Sequence, residues 1–252
     1  MCRRSDLTVE VLPSTGRHRW DDTWLTSLQS FPATGDFDLE AGAHGVLMVH
    51  NEDIVDAGGG FDTHRHRDVE IVTWVLEGSI EHRDSDGNCG LIGPGLVQRM
   101  SAGRGITHSE RNASSRRDDI TAHVIQMWLP PDADGREPGY AERDFTEDLS
   151  AGGLVTVVSG RARDRDTDAL GIGNRFVALH IARPGAGATV ELPAAPFGHL
   201  FVARGQVELV GPSPTPLAAG DAVRSVDEPA LTVRAVTDAE ILFWEMHASF
   251  DL

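Results

Sequence analysis

One unit is written twice along this chain, and that duplication constrains the fold more than any other feature. The first copy reads VEIVTWVLEGSIEHRDSDGN, then GLIGPGLVQRMSAGRG, then TAHVIQMWLP. The second reads GHLFVARGQVELVGPSP, then PLAAGDAVRSVDEP, then AEILFWEMH. Each has an apolar run, a glycine turn (Glu77-Gly78, Arg204-Gly205), a second run, a Gly-Pro or Gly-Asp turn and a closing run. Short runs rich in Val, Ile, Leu and aromatics, set between Gly, Pro, Asp and Asn, read as strands. GVLMVH (45–50), LVTVVSG (154–160) and FVALHIA (176–182) are further runs of this kind. Helical periodicity is weak, and a short turn around Glu142–Leu149 is the one helical expectation. The pattern predicts an all-β protein built from two copies of one barrel. The polar segment LPPDADGREPGYAERDF (129–145) reads as the linker and divides the chain into 1–135 and 136–252. GRARDRDTDALGIGN (160–174) reads as a charged, solvated loop.

Length permits this, because 252 residues can furnish two modest domains with cores of their own. Acids number 39 and bases 22, a formal charge of −17 that repels a phosphate backbone and an anionic membrane. Every basic residue is Arg, which excludes Schiff-base catalysis by lysine and a P-loop lysine. Cys2 and Cys89 are too few for a disulfide framework or a Cys-built zinc site. The opening MCRRSDLTVEVLPSTGRHRW has no apolar stretch behind its arginines, which argues against a signal peptide. No run of about 18 apolar residues suggests a membrane span. The expectation is a cytoplasmic protein that binds neither nucleic acid nor membrane, and a monomer, since no coiled coil or apolar helix is visible.

The chemistry concentrates in two short segments. GGGFDTHRHRDVE runs from Gly58 to Glu70, and GRGITHSERN from Gly103 to Asn112. On a strand, residues i and i+2 share a face. His64 and His66 therefore project together, as do His108 and Glu110. Two neighbouring strands with such pairs would converge four ligands inside a barrel. Three imidazoles and a carboxylate suit a divalent ion such as Fe, Ni, Cu, Mn or Zn, and leave positions open for chemistry. A polar surface loop, THRHRD, is the competing reading. The glycines before each pair weigh against it, because they permit close backbone approach where strands turn into a site.

The spacing G-x5-H-x-H-x3-E resembles the first cupin motif, and G-x-G-x2-H-x3-N resembles the end of the second. The longer run GFDTHRHRDVEIVTWVLEGSIEHRDSDGN, with IGPGLVQRMSAGRGITHSERN and QMWLPP, resembles bacterial pirin-like proteins over about residues 45–131, with weaker similarity over most of the rest. That resemblance implies two cupin (double-stranded β-helix, or jelly-roll) barrels packed together. One divalent metal would sit in the N-terminal barrel on His64, His66, His108 and Glu110, with none in the C-terminal barrel. Fe(II) is the favoured ion, with Ni, Cu, Mn, Co or Zn as alternatives. Arg65 stands where the family usually has proline and Asp62 where glycine is common, which bears on substrate access rather than on the ligands.

The second half offers His199 without an H-x-H, and His180 and His247 read as satisfied structural histidines. Trp74, Trp128 and Trp244 read as core. His82 and His123 stand as candidates to line the pocket or orient a ligand, against a surface role. Glu70 shares the strand parity of His64 and His66 and is expected to face inward, bonding a ligand imidazole rather than the metal. Cys89 reads as a bystander, and Arg104 as a residue that could attract an anionic substrate.

Resemblance to the pirins implies quercetin 2,3-dioxygenase activity. A small flavonol or phenol and O2 would be the substrates, and the central ring would open with release of CO, Glu110 taking the 3-hydroxyl proton. A second reading is a redox-sensing regulatory protein that docks on a protein partner according to the oxidation state of its metal. A third is another cupin chemistry, such as isomerase, decarboxylase or storage, because fold alone does not settle function.

Overall fold

In the computed structural model, residues 8–34 and 38–250 are described, and they form an all-β pair of jelly-roll barrels. Each barrel combines a seven-stranded and a four-stranded sheet. In the first, the large sheet runs Gly139–Asp144, Leu96–Ser101, Glu70–Glu77, Ala122–Leu129, Val49–Val55, Leu25–Gln29 and His18–Asp21. Its small sheet runs Gly60–His66, Ile106–Asn112, Ile80–Asp84 and Cys89–Ile92. In the second, the large sheet runs Thr8–Leu12, Ala222–Glu228, Ala195–Arg204, Glu240–Met246, Val177–Ala182, Val155–Ser159 and Leu170–Gly171. Its small sheet runs Thr189–Leu192, Leu231–Ala235, Gln206–Leu209 and Thr215–Ala218.

The two large sheets pack face to face, which explains why their central strands are apolar on both faces. In Glu70–Glu77 the even positions Val72, Trp74 and Leu76 join the core shared between barrels, while Ile71 and Val75 turn to the interior of the first. Val177, Leu179, Leu242 and Trp244 answer from the other side. Polar locks cross the same interface. The Trp74 indole donates to Glu240 Oε1 at 2.6 Å, and Arg204 donates to the Leu76 carbonyl at 2.6 Å.

Each half lends one edge strand to the other. Thr8–Leu12 pairs with Ala222–Glu228, and Gly139–Asp144 pairs with Leu96–Ser101. The segment 129–145, expected as linker, thus ends in a strand of the first barrel. Its polar composition suits an edge, where one side of the ladder meets solvent. The short turn expected around Glu142–Leu149 is a single helical turn, Thr146–Leu149. In the loop 160–174, Arg161 and Arg163 are not simply solvated, since both reach the buried carboxylate of Glu245. Among the described residues no helix is long and apolar enough to cross a membrane. Cys89 is free and exposed, and Cys2 lies outside the described residues.

Candidate metal centre

The small sheet of the first barrel carries the donors. Gly60–His66 and Ile106–Asn112 pair antiparallel, with His64 opposite His108 and a bulge between His108 and Glu110. On its other edge Ile106–Asn112 pairs with Ile80–Asp84, setting Glu110 opposite His82 and His108 opposite Asp84. Directly opposed residues point to the same face, so five donors converge. Gly60 makes the close approach possible. Its φ is +144°, and a Cβ there would lie 2.5 Å from both Arg111 Cα and the Glu110 carbonyl oxygen.

Ring centroids of His64, His66 and His108 stand 4.4–4.9 Å apart. One donor atom from each of the three lies within 4.8 Å of the others, and the same holds for His82, His108 and Glu110. His108 belongs to both groups. Glu110 therefore meets the three histidines through His108, with His82 directly behind. Within the described residues, both groups lie in the first barrel, whose counterpart is filled by Val190, Leu192, Val207, Leu217 and Val233.

The hydrogen bonds fix which ring nitrogens are available. His64 Nδ1–H donates to the Asp62 carbonyl at 2.7 Å, leaving Nε2 with its lone pair. Gln98 Nε2 donates to His82 Nδ1 at 3.2 Å, which makes that atom an acceptor. His108 Nδ1–H meets the same atom at 3.4 Å, so His108 Nε2 also keeps a lone pair. His66 Nε2 and His108 Nε2 are buried without a partner. Burial holds both rings at about 4, so they are neutral at pH 7. Lone pairs on neutral imidazoles, desolvated and unpartnered, are a donor set that fits a divalent cation.

Glu110 is 5 % exposed. Burial pushes its carboxyl up, but the surrounding His82, His108 and Gln126 outweigh burial and bring it to about 2. His82 Nδ1 stands 3.9 Å from Glu110 Oε1, beyond hydrogen-bond reach. Gln126 Nε2 donates to Glu110 Oε2 at 2.8 Å, and Trp128 Nε1 in turn donates to Gln126 Oε1 at 3.0 Å. Trp128 also sets its ring edge-on to His66 at 4.9 Å. A cavity of about 260 Å³ opens over these groups, lined by His64, His66, Glu110, Gln126, Trp128 and Asp53 among others. Asp53 is nearly buried, and burial pushes its carboxyl up to about 6.

Several expectations need correcting. Glu70 does not address the histidines. It accepts from Ser101 Oγ at 2.6 Å and from the backbone of Gly173 in the second barrel. The strand carrying His64 and His66 ends at His66, and Asp68 adopts a φ of 49° before a new strand in the other sheet, so parity is lost across the turn. His123 bonds Glu52 at 2.7 Å, away from the donor cluster. Arg104 pairs with Glu137 in solvent. Trp128 is part of the cavity wall rather than core alone. His180 and His247 are indeed satisfied, both by Glu245, at 3.1 and 2.8 Å. His199 is not, since neither of its buried ring nitrogens has a partner. Sequence reasoning missed Asn51, Asp53 and Gln126. Their signal was a polar residue at the inward parity of an apolar strand.

Comparison with known proteins agrees with the fold. The family described as Pirin matches residues 12–129, and the quercetinase C-terminal cupin domain matches residues 156–246. A Mycobacterium tuberculosis protein named "Putative quercetin 2,3-dioxygenase" is 46% identical over 241 residues, 96% of each chain. An Escherichia coli K12 protein named quercetin 2,3-dioxygenase is 34% identical over 235 residues, 91% of this chain and 93% of its own. The crystal structure of an Escherichia coli bacterial pirin in complex with nickel(II) superposes with a TM-score of 0.84 at 30% identity, covering 96% of this chain and all of that one.

Proposed function

This chain belongs to the pirin family, and on that premise we propose that it is a metal-dependent dioxygenase that opens the central ring of flavonols such as quercetin with O2 and releases CO. The observation that carries the reading is the pair of buried, unpartnered Nε2 atoms of His66 and His108, clustered with His64 beside a cavity that His64, His66 and Glu110 line. His64, His66, His108 and Glu110 would hold one divalent ion, Fe(II) in this proposal. That ion, when bound, supplies Lewis acidity toward an enol or phenol oxygen and a route for electrons to dioxygen.

The protein's own groups do the rest. Glu110, kept ionised, accepts the flavonol hydroxyl proton at a carboxylate oxygen. Gln126 holds that carboxylate from behind, and Trp128 holds Gln126, so the base is oriented before substrate arrives. Phe61 and Trp128 give the cavity flat walls that stack on aromatic rings, and Leu25 adds apolar surface that excludes water. We further propose that residues 1–135 form the metal-carrying unit and 136–252 a supporting barrel without metal ligands, each lending the other an edge strand.

The test uses protein purified without air and loaded with Fe(II), then given quercetin and O2 while flavonol loss and CO are followed. Turnover with CO in the wild type and its loss in His66→Ala are the expected results. An unchanged rate in His66→Ala, or no turnover by protein that retains its iron, would refute the proposal.

A further inference from the structure

The strand Val49–Val55 lays every second side chain into the first barrel: Val49, Asn51, Asp53 and Val55 all face its cavities. Two of these are apolar, as an interior demands. The other two are not. Asp53 is 5 % exposed. Its carboxylate takes one hydrogen bond from the Ser27 hydroxyl, while Oδ1 is buried without a partner. Asn51 Oδ1 is also buried without a partner. Among the described residues no ion pair reaches Asp53. A buried acceptor that nothing serves costs stability, so two of them side by side along one strand call for a donor from outside the chain.

We propose that Asn51 and Asp53 form a polar recognition subsite in the cavity of the candidate metal centre, which accepts hydrogen bonds from the hydroxyl groups of a polyhydroxylated aromatic substrate. The inference rests on the function proposed above and names the residues that would orient its substrate. Both atoms are acceptors, so the ligand must donate there. This excludes a carboxylate or phosphate at that end. A cation placed on the histidines a short distance away in the same cavity would repel an ammonium, whereas a hydroxyl is neutral and donates freely. The aromatic walls then select a flat ring as the frame carrying those hydroxyls. One oxygen of the substrate would face the histidines and a second hydroxyl would face Asn51 and Asp53, which fixes the orientation of the ring between them. A site whose buried polar groups are matched by a ligand hydroxyl discriminates strongly against the analogue that lacks it.

The experiment is equilibrium binding to full-length, zinc-loaded protein without oxygen, read by tryptophan fluorescence. The two probes are quercetin and 3-hydroxyflavone, which keeps the enol hydroxyl and lacks the others. Wild type is expected to prefer quercetin by about tenfold or more. Asp53→Ala should bring that preference to within about threefold while binding of 3-hydroxyflavone changes by less than about twofold. Asn51→Val, on the strand face that already carries Val49 and Val55, should shrink the preference in the same direction should Asp53→Ala not fold. An unchanged preference in the folded variants overturns the inference, as does failure of quercetin to bind the wild type. Failure of the dioxygenase proposal is read separately: the preference would still depend on Asp53, but the Fe(II) protein would release no CO.

Discussion

Between the two barrels lies a pair of imidazoles whose behaviour in acid follows from their surroundings. His50 on Val49–Val55 and His199 on Ala195–Arg204 are fully buried, 4.8 Å apart between ring centroids, and none of their four ring nitrogens has a partner. Arg17 lies over Phe201 and Arg224 over Phe31 beside them. Burial, helped by the Arg17 charge and opposed by Glu52, pulls His50 down to about 3. Burial and the neighbouring His50, His44, Arg224 and Arg17 push His199 well below its ordinary range. An imidazole whose folded value lies below its unfolded value binds its proton more readily in the unfolded chain. Its contribution to stability is therefore complete above about pH 6.5 and is lost as the pH falls toward the folded value. The slope is about 1.4 kcal/mol per pH unit, so bringing the pH to 5 should cost about 2 kcal/mol through His50 alone. Asp53, raised to about 6 by burial, works in the opposite sense and is common to both proteins compared. Urea unfolding of wild type and His50→Leu at pH 7.5 and 5.0 isolates the term. The variant should lose about 2 kcal/mol less on acidification, and at pH 7.5 it should be no less stable than a simple packing change allows, because two unserved nitrogens leave with the ring. Equal acid losses in the two proteins would refute the reasoning.

Two further outcomes follow from single contacts. Trp74→Phe removes the indole donor from Glu240, whose other carboxylate oxygen is held by Arg183 at 2.7 Å, and should cost about 2–3 kcal/mol in urea unfolding; a loss below about 1 kcal/mol would mean the barrels do not depend on this bond. His82→Phe keeps a fully buried ring behind the candidate metal centre but removes the acceptor that orients His108, and should weaken divalent-metal affinity by about 10–100-fold in a chelator competition; an affinity within about threefold of wild type would show that His82 does not hold His108 in place.

Much of the fold could be read ahead of the structure because the apolar runs are long enough to be strands and too short to be anything else. Val177–Ala182 and Glu240–Met246 lie almost where FVALHIA and AEILFWEM predicted. The edge strand Gly139–Asp144 was not legible, because an edge tolerates Glu142, Arg143 and Asp144, and its polarity reads as linker. Of the candidate site, His64, His66, His108 and Glu110 could be named from spacing, since an i, i+2 pair keeps its meaning inside one strand. Glu70 was misread by the same rule carried too far, across a turn that the left-handed Asp68 imposes between two sheets. Asn51 and Asp53 escaped notice because NED looks like a polar break inside an apolar stretch. Only the ladder with Ala122–Leu129, which sets Asn51 against Gln126 and Asp53 against Val124, shows them to be inward positions.

The two barrels share an architecture and differ in what one sheet turns inward. In the second, the small sheet contributes Val190, Leu192, Val207, Leu217, Val233 and Ala235 to a dry interior. In the first, the matching sheet contributes His64, His66, His82, His108 and Glu110, and Ile80, Ile92 and Ile106 fill only part of the remaining space. A barrel so furnished gives up apolar burial at its centre and leaves several polar atoms unserved, each at a cost to stability. Its large sheet offsets that loss on its outer face, where Val72, Trp74, Leu76 and Met127 are covered by the second barrel. The interface thus has a functional consequence. In the function proposed above, the second barrel would need no donor of its own to matter to the site, because its packing on the first offsets the cost of so polar an interior. Loosening that interface should therefore be felt at His66 and His108 before the second barrel itself unfolds, as a drop in metal affinity that Trp74→Phe would show at urea concentrations where the dry interior is still intact.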